Sequence, residues 1–252
     1  MRHLLYLALL AAGPTRGLQP TEFRPVPGFS LHKQDDVVAL IDGAGQRVGT
    51  VRCHRIVDIA LLGDRALLLL ASSAAGGTSL VEVTAAPSRR QEARAEVWTE
   101  GFLHIHLLRE LGHLRPWKVR LVDVDGDGGE ELVLGVYKRA RFDPMMRNRL
   151  FVYTWPGLAP RWLGSRLSLP FDDFVFVDCD QDGKDELIAL ERAADGRRRL
   201  MRYRWNGFGF SGEAGDFLEV TSRSELIAAR PNGARLRDVA ATRFCPRKEP
   251  HP

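Results

Sequence analysis

The 252-residue chain is poor in cysteine, lysine and long apolar runs. Its three cysteines, Cys53, Cys179 and Cys245, are odd in number and widely spaced, which excludes a disulfide-built scaffold and leaves room for one bridge and one free thiol. No CxxC pair occurs, so the usual zinc pattern is missing. Only five of the 36 basic residues are lysine. An arginine bias of that kind can reflect nucleotide composition, so the net charge of +4 carries no nucleic-acid function by itself. No segment reaches the roughly eighteen consecutive apolar residues of a membrane helix. GxSxG, HExxH and a glycine-rich phosphate loop are absent, and with them the usual signatures of nucleophilic, zinc-hydrolytic and phosphoryl chemistry.

One short apolar run does stand out. MRHLLYLALLAAGPTRGLQP joins a basic start to the stretch Leu4 to Ala12 and then to small residues and a proline. It suits a secretory signal over residues 1–17, cleaved between Ala12 and Gly17, and predicts a secreted or periplasmic protein. No cysteine follows the run, which argues against a lipid anchor.

Helical periodicity is missing from the rest of the chain, and short apolar runs bounded by Gly, Pro, Asn or Asp take its place. An all-β chain is expected. Its strands are read at 36–42, 66–72, 79–85, 118–124, 131–137, 150–155, 174–178, 186–192 and 200–205. The stretch 102–111, with His104 and His106, reads as strand or short helix; these two and His113 are taken mainly as packing histidines.

Two repeats organise the chain. DVDGDGGEEL (123–132) returns as DCDQDGKDEL (178–187), fifty-five residues later and in the same frame. Leu150, Phe151, Tyr153 and Trp155 match Leu200, Met201, Tyr203 and Trp205 at a constant offset of fifty, and each set runs into a turn, Pro156-Gly157 or Asn206-Gly207. In the second set alternation puts Met201, Tyr203 and Trp205 on a buried face and Arg202 and Arg204 on a wet one. With PRWLGSRL (160–167) as a fourth strand, the order is that of a four-stranded antiparallel propeller blade. A β-propeller of about five blades is expected, within roughly four to seven, over residues 18–243, with clear repeats at 116–212, degenerate blades before them (a separate N-terminal domain being the alternative) and a tail at 244–252.

The acidic turns have the composition of a hard-cation loop. Calcium takes six to eight oxygens, and a short loop supplies them only if carboxylates alternate while the backbone turns tightly. Gly126, Gly128 and Gly183 permit the turn. An EF-hand is excluded because the twelfth residues are Leu134 and Ala189 rather than glutamate.

The DxDxDGxxEL pattern resembles the FG-GAP and VCBS repeats of integrin-α-like propellers, specifically over Pro116 to Gly212. In that family the first, third, fifth and ninth side chains and the seventh carbonyl bind calcium. The resemblance implies Asp123, Asp125, Asp127 and Glu131 with the Gly129 carbonyl in the first turn, and Asp178, Asp180, Asp182 and Glu186 with the Lys184 carbonyl in the second. About two structural calcium ions would follow. Cys179, at the second position, should point away from the ion.

The function expected is a non-catalytic binding or scaffold module with a protein or glycan ligand, without nucleic acid and without a membrane span. Two alternatives stand beside it. One is an extracellular polysaccharide lyase or hydrolase with its site at the channel mouth. The other is a cell-surface assembly subunit docking through the Arg-rich connection KRARFDPMMRNR (138–149), which would present an apolar patch beside Met145 and Met146.

Overall fold

Short apolar runs give the described residues strands and almost nothing else. The structure is a computed structural model that describes residues 22–220 except 27–28, 43–44, 63–64, 72–76, 85–97, 101–102, 165 and 213–216. The expected signal segment, the tail and Cys245 lie outside the described residues.

The chain is all-β, in the strand order of propeller blades. Its first sheet is a meander of β1 (Glu22–Val26), β2 (Phe29–Gln34), β3 (Val37–Asp42) and β4 (Arg47–Arg52). The second runs β5 (Arg55–Leu62), β6 (Arg65–Ala71), β7 (Thr78–Thr84), then β9 (Leu103–Glu110), with β8 (Trp98–Glu100) outside it. The third consists of β10 (Pro116–Val122), β11 (Glu131–Ala140), β12 (Asp143–Thr154) and β13 (Pro160–Leu163) in order. The fourth orders β14 (Phe171–Val177), β15 (Glu186–Arg192), β16 (Arg198–Trp205) and β17 (Phe210–Ser211), with β18 (Phe217–Val220) also paired to β16. Among the described residues there are thus four sheets, all with antiparallel registers where these are defined. The ambiguous stretch 102–111 is a strand, with His104 and His106 at alternating positions on β9.

Two compact units divide the chain, Met1–Arg120 and Leu121–Pro252, with the boundary inside β10. In the first unit Leu31, Val38, Leu40, Val51, Ile56, Leu68, Val81 and Val83 form a core together with the buried Cys53. Each such leucine or valine contributes about 1.5–3 kcal/mol by leaving water. Within the same unit Asp58 accepts the Val119 N–H at 2.9 Å and pairs with Arg120 at 2.7 Å. No helix among the described residues is long and apolar enough to cross a membrane.

The second strands of the third and fourth sheets are buried on both faces. Leu132 to Val136 and Leu187 to Glu191 are all buried, so alternation disappears there and the sequence reads as a continuous apolar run. The buried charge in that run, Glu191, is matched inside the fold. Its carboxylate accepts hydrogen bonds from the Tyr203 hydroxyl, the Leu169 N–H and the Arg199 guanidinium. Burial and the neighbouring Glu191 push the Tyr203 hydroxyl well above the ordinary tyrosine range.

Two local expectations change. Both faces are buried over Leu150 to Tyr153, and Leu200 is buried alongside Met201 and Tyr203, because these third strands are also covered on both sides. The segment 138–149, expected as a connection, is built of strand. β11 and β12 continue through it as a paired hairpin, Tyr137 opposite Asn148 and Lys138 opposite Arg147, closed by a turn at Arg141 and Phe142. The buried Arg149 holds it, donating to the carbonyls of Lys138 (2.8 Å), Asp143 (3.0 Å) and Met145 (2.8 Å) and pairing with the Asp143 carboxylate at 3.3 Å.

Candidate metal centres in the acidic turns

Each acidic turn links the first two strands of a sheet, β10 to β11 and β14 to β15. The backbone enters the left-handed region at the fourth and sixth positions of both: Gly126 (φ 78°) and Gly128 (φ 81°) in one, Gln181 (φ 62°) and Gly183 (φ 88°) in the other. Glycine meets that demand without strain at three of the four places.

The turn folds three carboxylates together. Asp123, Asp125 and Glu131 bring one oxygen each within 4.8 Å of one another, and Asp178, Asp180 and Glu186 do the same. Either cluster could hold a metal ion. The first, third and ninth positions of the motif therefore converge. The fifth does not join the cluster: Asp127 accepts the Gly129 N–H at 2.7 Å, and Asp182 accepts the Lys184 N–H at 2.8 Å. Both are exposed and serve the turn's own backbone. The Lys184 side chain lies over Gly126, so closely that a Cβ there would stand 2.8 Å from its Cγ.

The ninth residue has two tasks. Glu131 accepts the Val124 N–H at 3.1 Å, and Glu186 accepts the Cys179 N–H at 2.8 Å, so each glutamate pins the second residue of its own turn. That bond turns the Cys179 side chain away from the cluster and into the core of Val175, Ile188, Leu190 and Leu200. Cys179 is disulfide-bonded.

The two clusters differ in what else reaches them. In the first, Asp123 accepts N–H groups from Gly126 (2.6 Å) and Gly128 (2.9 Å), and Asp125 accepts that of Asp127 at 3.3 Å. Arg161, on β13, then spans the cluster, with one guanidinium nitrogen on Glu131 and the other 2.6 Å from Asp125. Its guanidinium lies over the Trp205 ring, 5.4 Å from the centroid. In the second, Arg204 stands 3.5 Å from Glu186 and 3.9 Å from Asp180. Asp178 accepts the Gly183 N–H at 3.2 Å through one oxygen, and its other oxygen is buried without a hydrogen-bond partner. An orphaned buried carboxylate oxygen is what a bound cation would satisfy, so the second cluster fits a metal ion.

Electrostatics follow the same division. Burial raises the carboxyl of Asp125, but the Arg161 hydrogen bond and charge with the Asp127 N–H outweigh it and hold the group below the usual carboxylate range. Glu131 is pushed up by burial and by the charge of Asp125, against the Val124 N–H and Arg161. Glu186 is pushed up by burial and by Asp180, against the Cys179 N–H and Arg204. Arg161 is held above its ordinary value by its bond to Asp125 and by both carboxylate charges.

The linear motif contains neither Arg161 nor Arg204. Arg161 meets its carboxylates across 30 and 36 residues, and no local pattern marks it.

No family model matches the chain, and no curated protein matches it. The solved structures it is similar to include the Dos1 propeller, at a TM-score of 0.47 and 13% sequence identity, over 77% of this chain and 45% of that one. The chain thus spans less than half of that structure's length.

Proposed function

We propose that the protein is a non-catalytic binding or scaffold module of the FG-GAP/VCBS kind, whose acidic turns are tied by calcium and whose long β11–β12 hairpin carries the contact surface. The reading also places it outside the cytoplasm, where calcium is abundant and the N-terminal signal would deliver it. The observation that carries the metal half is the convergence of three carboxylates in each turn, at matching positions of a repeated motif. Calcium is the cation suited to such all-oxygen donors, and a metal held only by the folded chain adds stability by mass action.

A specific feature supports the hairpin as the docking edge. Phe142 is 84% exposed, Met145 57% and Tyr137 42%, amid Lys138, Arg139, Arg141 and Arg147. Large apolar side chains held in water on a rigid hairpin and ringed by cations suit an acidic protein partner.

The test of the metal half is thermal unfolding of the mature chain in calcium and then in chelator, beside an Asp123→Ala, Asp178→Ala double variant. Calcium should raise the melting temperature of the wild type and leave the variant unmoved. Equal melting with calcium and chelator in the wild type would sink the reading.

A further inference from the structure

We infer that the acidic partner of the β11–β12 hairpin is a second copy of this chain, which receives the hairpin tip at the end that carries Phe208. This rests on the contact-surface reading above and names its occupant. The acidic turn 123–131 enters β11 and the hairpin tip leaves it, so the two lie at opposite ends of a ten-residue strand, roughly 30 Å apart. The tip therefore cannot reach its own turn. The second acidic turn is fastened to the first through Asp185 and Asp123, and it enters β15. Leu187 pairs with Tyr203, so the turn that leaves β16 lies at that same end.

That turn holds the second large apolar side chain left in water. Phe208 is 86% exposed, and Asn206 fixes it there by accepting the N–H groups of Phe208 (3.0 Å) and Gly209 (2.9 Å). Its surroundings are acidic: between Asp123 and Glu131 and between Asp178 and Glu186 the chain places ten carboxylates, with Lys184, Arg161 and Arg204 opposing them. Asp127, Asp180 and Asp182 are exposed. At the other end Phe142 and Met145 stand in water among Lys138, Arg139, Arg141 and Arg147, while the one carboxylate of that segment, Asp143, is paired with the buried Arg149. Each end thus presents exposed apolar side chains in a rim of one charge, and the two rims have opposite sign. Because the two surfaces differ, their contact is heterologous and builds open chains rather than a closed dimer.

Sedimentation of the full chain at low salt tests this. The wild type should grow in mass with concentration and return to monomer near 1 M salt, where the screening length falls to about 3 Å. Phe142→Ser with Met145→Ser should be monomeric, and so should Phe208→Ser; all three side chains are exposed, so both variants should melt like the wild type. Mixed together, the two variants should form dimers and nothing larger, since each keeps the surface that the other lacks. A wild type that stays monomeric at every concentration would overturn the inference, as would chains that persist in either variant. Poly-glutamate then separates the two failures. Its binding by a monomeric wild type, weakened in Arg139→Gln with Arg141→Gln, overturns only the second copy as occupant, whereas no binding removes the contact-surface reading as well.

Discussion

The N–H of Asp185 donates to the carbonyl of Asp123 at 2.7 Å, and the Asp185 carboxylate accepts the N–H of Asp123 at 3.2 Å. This reciprocal pair fastens the eighth residue of one acidic turn to the first residue of the other. The turns are therefore one structural element in two pieces. Asp185→Ala should cost about 1–2 kcal/mol, because the part-buried Asp123 N–H loses its acceptor while the backbone bond remains. Urea unfolding measures it. A loss within scatter of zero would mean water replaces the carboxylate at no cost.

The Glu191 network should behave as a buried charge with all its partners present. Glu191→Ala leaves Arg199, the Tyr203 hydroxyl and the Leu169 N–H without their acceptor and should destabilise the fold by about 3–5 kcal/mol. Tyr203→Phe removes one donor of three and should cost about 1–2 kcal/mol. Chemical denaturation should rank the two in that order, and the reverse order would show that the Tyr203 hydroxyl, which also accepts the Ser168 N–H, outweighs the carboxylate in holding the site.

At the hairpin, stability and binding should separate. Phe142→Ser with Met145→Ser should change stability by less than about 0.5 kcal/mol, since both side chains are exposed already. Arg149→Ala should cost about 3 kcal/mol, because three carbonyls and the Asp143 carboxylate share that one buried guanidinium. Thermal melts of the two variants test the contrast. If the serine pair melts well below the wild type, the tip is part of the core and not a contact surface.

Acid should weaken the calcium effect before it reaches the ordinary carboxylate range. Glu186 and Glu131 are both pushed up by burial and like charge, so they take protons at higher pH than an ordinary glutamate, and a proton competes with a cation. The sign without metal is fixed by the same shift. A folded-state carboxyl raised above its unfolded value binds more protons when folded, so its share of stability falls as pH rises through that window. Asp125, held down by Arg161, stays ionised there. The difference in melting temperature between calcium and chelator should therefore shrink steadily on acidification from neutral pH. A constant difference down to the usual carboxylate range would contradict the raised values.

Much of this protein is written in stretches of ten residues or fewer. The strand at Glu186–Arg192 is readable residue for residue, because an apolar run closed by charge has few other fates in a chain without helical periodicity. The acidic turns are equally legible, since alternate aspartates and glycines at left-handed positions act on their own backbone through hydrogen bonds spanning two to seven residues. Gln181 is the exception that marks the limit of that code: it occupies the same left-handed position as Gly126 with nothing in its identity to announce it.

What the local pattern left open is which charge meets which. The Arg-rich segment 138–149 reads as a plain connection until Arg149 is seen gathering three carbonyls, and that requires both strands of the hairpin to be in register. Two nearly identical motifs read as two equal charge clusters until Arg161 arrives from another strand and spans one of them. Alternation and backbone preference belong to neighbours along the chain, so the sequence alone determines strands and turns. The partner of a carboxylate is chosen by strands brought beside it through sheet pairing, and only the tertiary structure decides that.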